Sequence, residues 1–197
     1  ETPFLSYEEI LFLKDLETAL DAYWNSHNFD KVTSYLSKKC FSSWWSFFVE
    51  LTKWLRSVHA FDDARQKDYW AQKLFEYLCS EGTDPSKQQI AIELLRFDYI
   101  ASGKKTNPPA WLKRNWDKDG HYAALQKTTG INNSRLDFAY SDFDSFEADP
   151  LAENPGENGD GRTYHILFLY PRRDSDNPTL EQKKARQLLV DWIKSEK

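Results

Sequence analysis

The chain has 197 residues, of which 40% are hydrophobic and 29% charged, with 7 glycines and 8 prolines. That length and balance suit a globular chain with a real core and exclude a low-complexity or fibrous one. The net charge is −5, and no stretch supplies the basic face that a nucleic-acid binder needs to displace counterions.

Aromatic residues make up 16% of the chain, with 8 tryptophans, 10 tyrosines and 13 phenylalanines. Such residues bury large areas and predict an aromatic core, with a partly exposed groove as the alternative. The basic clusters, Lys104-Lys105, Arg172-Arg173 and Lys183-Lys184-Arg186, are short and flanked by acids. No apolar run approaches a membrane span and no export signal is present, so a cytoplasmic protein with its two cysteines reduced and buried is expected. The chain opens on Glu-Thr-Pro without an initiator methionine, which leads us to expect an excised fragment of a longer protein or an engineered boundary.

Ser6 and Glu9 form a capping-box pattern at a helix start. Ile10, Leu13, Leu16, Leu20, Tyr23 and Trp24 then recur at helical spacing as a buried stripe, ending near Asn25-Ser26-His27-Asn28. A short helix follows, with Val32, Tyr35 and Leu36 on one side. Ser42 or Ser43 opens a third helix, whose broad face carries Trp44, Phe47, Phe48, Leu51, Trp54, Leu55 and Val58. Asp62-Asp63 begin a fourth, through Tyr69, Trp70, Leu74, Tyr77 and Leu78 to a stop at Glu81-Gly82. Asp84-Pro85 starts a fifth, with proline in the first turn, and Gly103 stops it.

Beyond Lys104 the texture changes. Breakers dominate Lys104–Gly120, with one turn predicted around Ala110–Trp116, and His121–Lys127 predicts a short helix. Leu136–Phe143 and Tyr164–Tyr170 alternate or run apolar as strands, separated by an acidic, glycine-rich loop. Thr179 caps a predicted last helix with Leu180, Ala185, Leu188, Leu189 and Trp192 inward. The expected fold is therefore mainly α: about six to seven helices with a small antiparallel β-hairpin near the C-terminus. It forms one domain, with a helical core over 1–103 and an irregular segment, hairpin and final helix over 104–197. A hairpin alone is marginal in water, so it must pack on helices or join another sheet.

No chemistry is self-evident. The histidines at 27, 59, 121 and 165 and the cysteines at 40 and 79 lack zinc-site spacing. His165, within a strand, reads as a partnered structural residue. No calcium loop, phosphate loop or nucleophile elbow is present. The stretch LLRFDYIASGKKTNPPAW does set Arg96 and Asp98 among large apolar residues, two apart and so on different faces of a helix. They read as two ion pairs tying the helix to its neighbours, or as polar groups lining a cleft. Arg172-Arg173, after the second strand, are solvated charge or a recognition pair.

Three stretches carry a resemblance. ETPFLSYEEILFLKDLETALDAYWNSHNF resembles the segment that follows the catalytic barrel in bacterial cobalamin-binding radical S-adenosylmethionine proteins. LLRFDYIASGKKTNPPAW is similar to a later helix-and-proline-tryptophan motif of that family, and LFLYPRRDSDNPT to its closing strand and turn. The last departs from the family's usual form, with Leu169 and Pro171 around Tyr170.

The resemblance implies the C-terminal domain of unknown function of such a protein, often labelled Mg-protoporphyrin IX monomethyl ester oxidative cyclase-like. It implies partners in the upstream barrel and cobalamin-binding domain of the same chain, with no nucleic acid and no membrane. It also implies that the 4Fe-4S cluster, S-adenosylmethionine and cobalamin belong to those modules. No catalytic, cofactor or metal residue is carried over to this chain. Interface or recognition roles are expected of Arg96, Asp98, Tyr99, Trp111, Arg172 and Arg173. The alternative is a helical protein–protein interaction module with an aromatic groove.

Overall fold

The computed structural model describes residues 5–62, 66–80, 84–103, 108–112, 118–129, 138–153, 163–171 and 186–189. It comprises two compact units, Glu1–Asp98 and Tyr99–Lys197. Six α-helices and an antiparallel hairpin lie among the described residues, as the mainly α reading expects.

In unit 1, helix α1 (Tyr7–Leu20) starts at Ser6 with a complete capping box. The Glu9 amide donates to Ser6 Oγ at 3.3 Å and the Ser6 amide to Glu9 Oε2 at 2.8 Å. A π-helical turn over Asp21–Asn25 continues it, and His27 breaks the direction in a left-handed conformation at φ 54°. Helix α2 (Asp30–Tyr35) runs into a second π-helical turn, Leu36–Cys40. Helix α3 (Trp44–Ser57) opens at Ser43, again through a capping box, here with Ser46. Helix α4 (Lys67–Cys79) begins four residues later than Asp63, and Glu81-Gly82 lies outside the described residues.

Helix α5 (Pro85–Ala101) begins where Asp84 Oδ1 accepts from the Ser86 amide at 2.9 Å. It ends before Gly103, whose φ of 144° suits a residue without Cβ. From Glu93 to Ala101 every residue is buried, and the boundary between the units falls inside this helix. The core of unit 1 is largely aromatic and leucine: Tyr23, Phe29, Phe47, Leu51, Leu55, Leu74 and Leu94 are at most 1% exposed.

Unit 2 holds helix α6 (Lys118–Thr129) and strands β1 (Phe138–Phe146), β2 (Tyr164–Pro171) and β3 (Arg186–Leu189). The sheet order is β1-β2-β3, all antiparallel. Ser145 pairs with His165 and Phe143 with Leu167, while Ile166 pairs with Leu189 and Leu169 with Arg186. One face packs Phe143 and Leu167 against Ala124 and Leu125 of α6. On the other, Phe146 meets Phe168 edge-on with ring centroids 6.3 Å apart.

Strand β3 corrects the expectation of a helix through Leu188 and Leu189. The physical reason lies in β2, where Ile166, Leu167 and Phe168 are all 0% exposed. A strand buried on both faces needs a neighbour on each edge for its backbone groups, and a hairpin supplies only one. The remainder of that predicted helix, including Thr179 and Trp192, lies outside the described residues.

Candidate docking site

Among the described residues, a concavity with an almost wholly apolar lining lies in unit 1. It measures about 520 Å³ and is lined by Leu16, Leu20, Trp24, Trp44, Trp45 and Phe48. Its first wall is α1 and the π-helical turn after it. In that turn the Ser26 amide reaches back to the Asp21 carbonyl at 3.1 Å, so one extra residue is accommodated. Tyr23 thereby goes inward, fully buried, and donates its hydroxyl to the Trp70 carbonyl at 3.0 Å. Trp24, the next residue, is left 43% exposed.

The second wall is the start of α3. The Ser43 capping box, with the Ser46 amide donating to Ser43 Oγ at 3.0 Å, fixes Trp44 and Trp45 as the first two helical residues. Trp44 meets Trp24 edge-on with centroids 4.1 Å apart and stacks on Phe48 at 6.2 Å. Trp45 is 63% exposed. Leu13, one turn back on α1, is exposed as well. The sequence stripe thus splits. Leu16 and Tyr23 are core, but Leu13 and Trp24, expected inward, are exposed, Trp24 in the groove lining, and Trp45 was on no expected face. A helical period cannot anticipate the inserted π residue that turns Trp24 outward.

Arg96 and Asp98 are buried within unit 1. Each makes bonds of definite direction. The Arg96 guanidinium donates to Glu93 Oε1 at 2.6 Å on its own helix. Asp98 Oδ2 accepts from the backbone amides of Lys31 and Val32, each at 2.9 Å. These are the second and third residues of α2, whose own N-cap, Phe29, has no side chain able to accept. Asp98 is therefore an N-cap supplied from 66 residues away, with its charge at the positive end of the helix.

In unit 2, Tyr99 is fully buried and meets Trp111 edge-on at 5.6 Å. Neighbouring Ile100 offers its carbonyl to the Tyr170 hydroxyl at 2.7 Å. Pro109–Leu112 forms a turn closed by the Leu112 amide on the Pro109 carbonyl. Arg172 and Arg173 lie outside the described residues.

Other polar groups form smaller sets. Ser145 Oγ lies 2.8 Å from His165 Nδ1 across the hairpin, and His121 Nε2 lies 3.0 Å from Ser141 Oγ. The His165 ring stacks on Phe143 at 5.9 Å, a partnered structural histidine as expected. In unit 1, Arg56 sits 3.4 Å from Asp15 and lies over the Phe12 ring, beside a second, more polar concavity lined by Asp15, Arg56, His59, Phe61 and Asp62. Both cysteines are free. Cys40 is half-buried, but Cys79, expected to be buried, is exposed as the last residue of α4. Burial raises both thiols above their ordinary value, opposed at Cys40 by Lys87, so neither is primed as a thiolate. Among the described residues, no cluster of His, Cys, Asp and Glu is arranged to hold a metal ion.

A helical unit with a tryptophan-lined surface groove is what unit 1 defines. The chain belongs to the family described as "Protein of unknown function (DUF4080)", whose model matches residues 1–149. That span takes in all of unit 1 and, in unit 2, α6 and β1. No curated protein and no solved structure matches the chain.

Proposed function

We propose that this chain is a non-catalytic accessory domain that docks through its tryptophan-lined groove on another module of a longer protein. By resemblance that module is the catalytic barrel of a cobalamin-binding radical S-adenosylmethionine enzyme, related to the Mg-protoporphyrin IX monomethyl ester oxidative cyclases. The observation that carries the docking reading is the pair Trp24 and Trp45, 43% and 63% exposed at the mouth of an apolar concavity. Large aromatic side chains lose surface exposure most favourably at interfaces, where they act as anchors. Closing a barrel mouth also keeps radical intermediates from solvent.

The iron–sulfur cluster of such enzymes requires three cysteines in a CxxxCxxC run. This chain has two, Cys40 and Cys79, in separate elements and with raised thiol pKa values. The donor set does not fit a cluster, and no step of the reaction is assigned to these residues. The role left to the chain is to cover and position.

Oxidative footprinting tests the reading. Modification of Trp24 and Trp45 is compared between the 197-residue chain and the longer polypeptide that includes the upstream modules. Both tryptophans are expected to be modified at least several-fold more slowly in the longer protein. Equal rates in the two would overturn groove docking. A helical interaction module that binds a separate protein is the second reading, favoured by the same exposed pair. It predicts protection only when that protein is added.

A further inference from the structure

We infer that the occupant of the tryptophan groove is a basic amphipathic helix; this inference rests on the docking reading and names its partner's chemistry. Three observations carry it.

The first is the lining. Both walls are helical, so apart from the first-turn amides of α3 their backbone groups are engaged in i→i−4 or π-type bonds. An extended strand laid there finds no edge to pair with and leaves its own amides unsatisfied against apolar side chains. A helix satisfies its backbone internally and needs only apolar anchors on one face.

The second is charge. Residues 1–98 hold 16 Asp and Glu against 11 Lys and Arg, so the whole net −5 of the chain belongs to unit 1. On the groove's own wall, exposed Glu17 lies between Leu13 and Leu20 in the i,i+3/i+4 sense, and exposed Asp21 lies between Glu17 and Trp24. Lys14 is the one cation on α1.

The third is what that charge disfavours. Two copies meeting groove to groove across a two-fold axis bring identical acidic walls together. A basic partner is attracted by the same field, which also steers its approach.

Two synthetic peptides of about eighteen residues, long enough to hold a helix when bound, supply the test. One is built from leucine and lysine and the other from leucine and glutamate, with the same apolar spacing and no tryptophan. Each is titrated into the full chain by calorimetry, with tryptophan emission and circular dichroism followed in parallel. The lysine peptide is expected to bind one-to-one, to gain helicity, and to bind roughly tenfold or more tightly than the glutamate peptide. Trp45→Ser, at an exposed position, should weaken it roughly tenfold, and Glu17→Lys with Asp21→Lys should reverse the preference.

Equal, Trp45-dependent binding of both peptides overturns the basic partner. Binding insensitive to Trp45→Ser is surface attraction and overturns the assignment to the groove. Tighter binding of a lysine-rich polyproline peptide, without helicity, overturns the helix. A dimer of the chain that Trp45→Ser dissolves gives the groove to a second copy. No saturable binding of either peptide also overturns the inference, while the footprint of Trp24 and Trp45 in the longer protein still decides docking itself.

Discussion

Asp98 makes the most specific demand on the fold, and its removal has a calculable consequence. Its carboxylate accepts two backbone amides at 2.9 Å, those of Lys31 and Val32, and Val32 is fully buried. Asp98→Ala leaves both donors without their acceptor. Bonds to a charged acceptor contribute about 1.5–3 kcal/mol each, and a buried orphan donor costs about 1–3 kcal/mol. The two bonds share one carboxylate and water can reach Lys31, so the sum falls in the lower part of twice the single value: about 3–4 kcal/mol in all. Asp98→Asn keeps an acceptor and loses the charge at the helix end, worth about 1–2 kcal/mol.

Urea unfolding followed by far-ultraviolet circular dichroism measures the global effect, with an m value of about 2 kcal/mol per molar translating the Ala variant into a midpoint shift of about 1.5–2 M. Amide exchange localises it: α2 should lose protection before α4 does. Asp98→Ala within about 0.5 kcal/mol of the native chain would refute the capping role. Equal losses for Asn and Ala would show that charge, not acceptor geometry, holds α2.

Thr52 is fully buried in α3 and its Oγ1 has no hydrogen-bond partner among the described residues; Thr52→Val should therefore stabilise the chain by about 1 kcal/mol in the same urea assay. Burial holds Tyr35 and Tyr77 up at about 12 and Tyr23 well above its ordinary value. These tyrosines stay protonated in the fold when an unfolded tyrosine, near 10, has released its proton. The stability they contribute is thus complete below pH 10 and is lost as pH rises from about 10 through 12, which denaturation midpoints at stepped pH should record. Ser43→Ala breaks the capping box that sets Trp44 and Trp45, at a cost of about 1 kcal/mol, and should blunt the native tryptophan emission before global unfolding.

Helix starts were legible because each has a local chemical signature. Ser6 with Glu9, Ser43, and Asp84 before Pro85 all stand where their hydrogen bonds are made. The hairpin was legible from apolar alternation, and α6 from its spacing. Three features were not legible, each for a nonlocal reason. Strand β3 lies in a stretch of good helix formers, and only the two-edged need of β2 overrides that preference. The π-helical turns come from where Tyr23 and Leu36 must be buried, which no period encodes. Asp98 as the cap of α2 joins residues 66 apart; the sole local sign was a helix starting at Phe29-Asp30 with no capping side chain of its own.

The charged letters within LLRFDYI sit where α5 is buried on every side. Arg96, Phe97 and Asp98 belong to unit 1 and Tyr99 and Ile100 to unit 2, on one continuous helix. A segment buried throughout from Glu93 to Ala101 favours partners for the polar groups it carries, and several have them in bonds of fixed direction: Arg96 to Glu93, Asp98 to the α2 amides, and the Ile100 carbonyl to Tyr170. An all-leucine version of this helix buries as well but gives no reason to prefer one rotation about its axis. The Asp98 bonds set that rotation within unit 1, since turning the helix by one residue, about 100°, takes Asp98 away from α2. The motif is therefore an orienting device for α5 within unit 1. The chain's interaction chemistry lies instead at Trp24 and Trp45, where large side chains remain in water without a partner in unit 1 able to cover them.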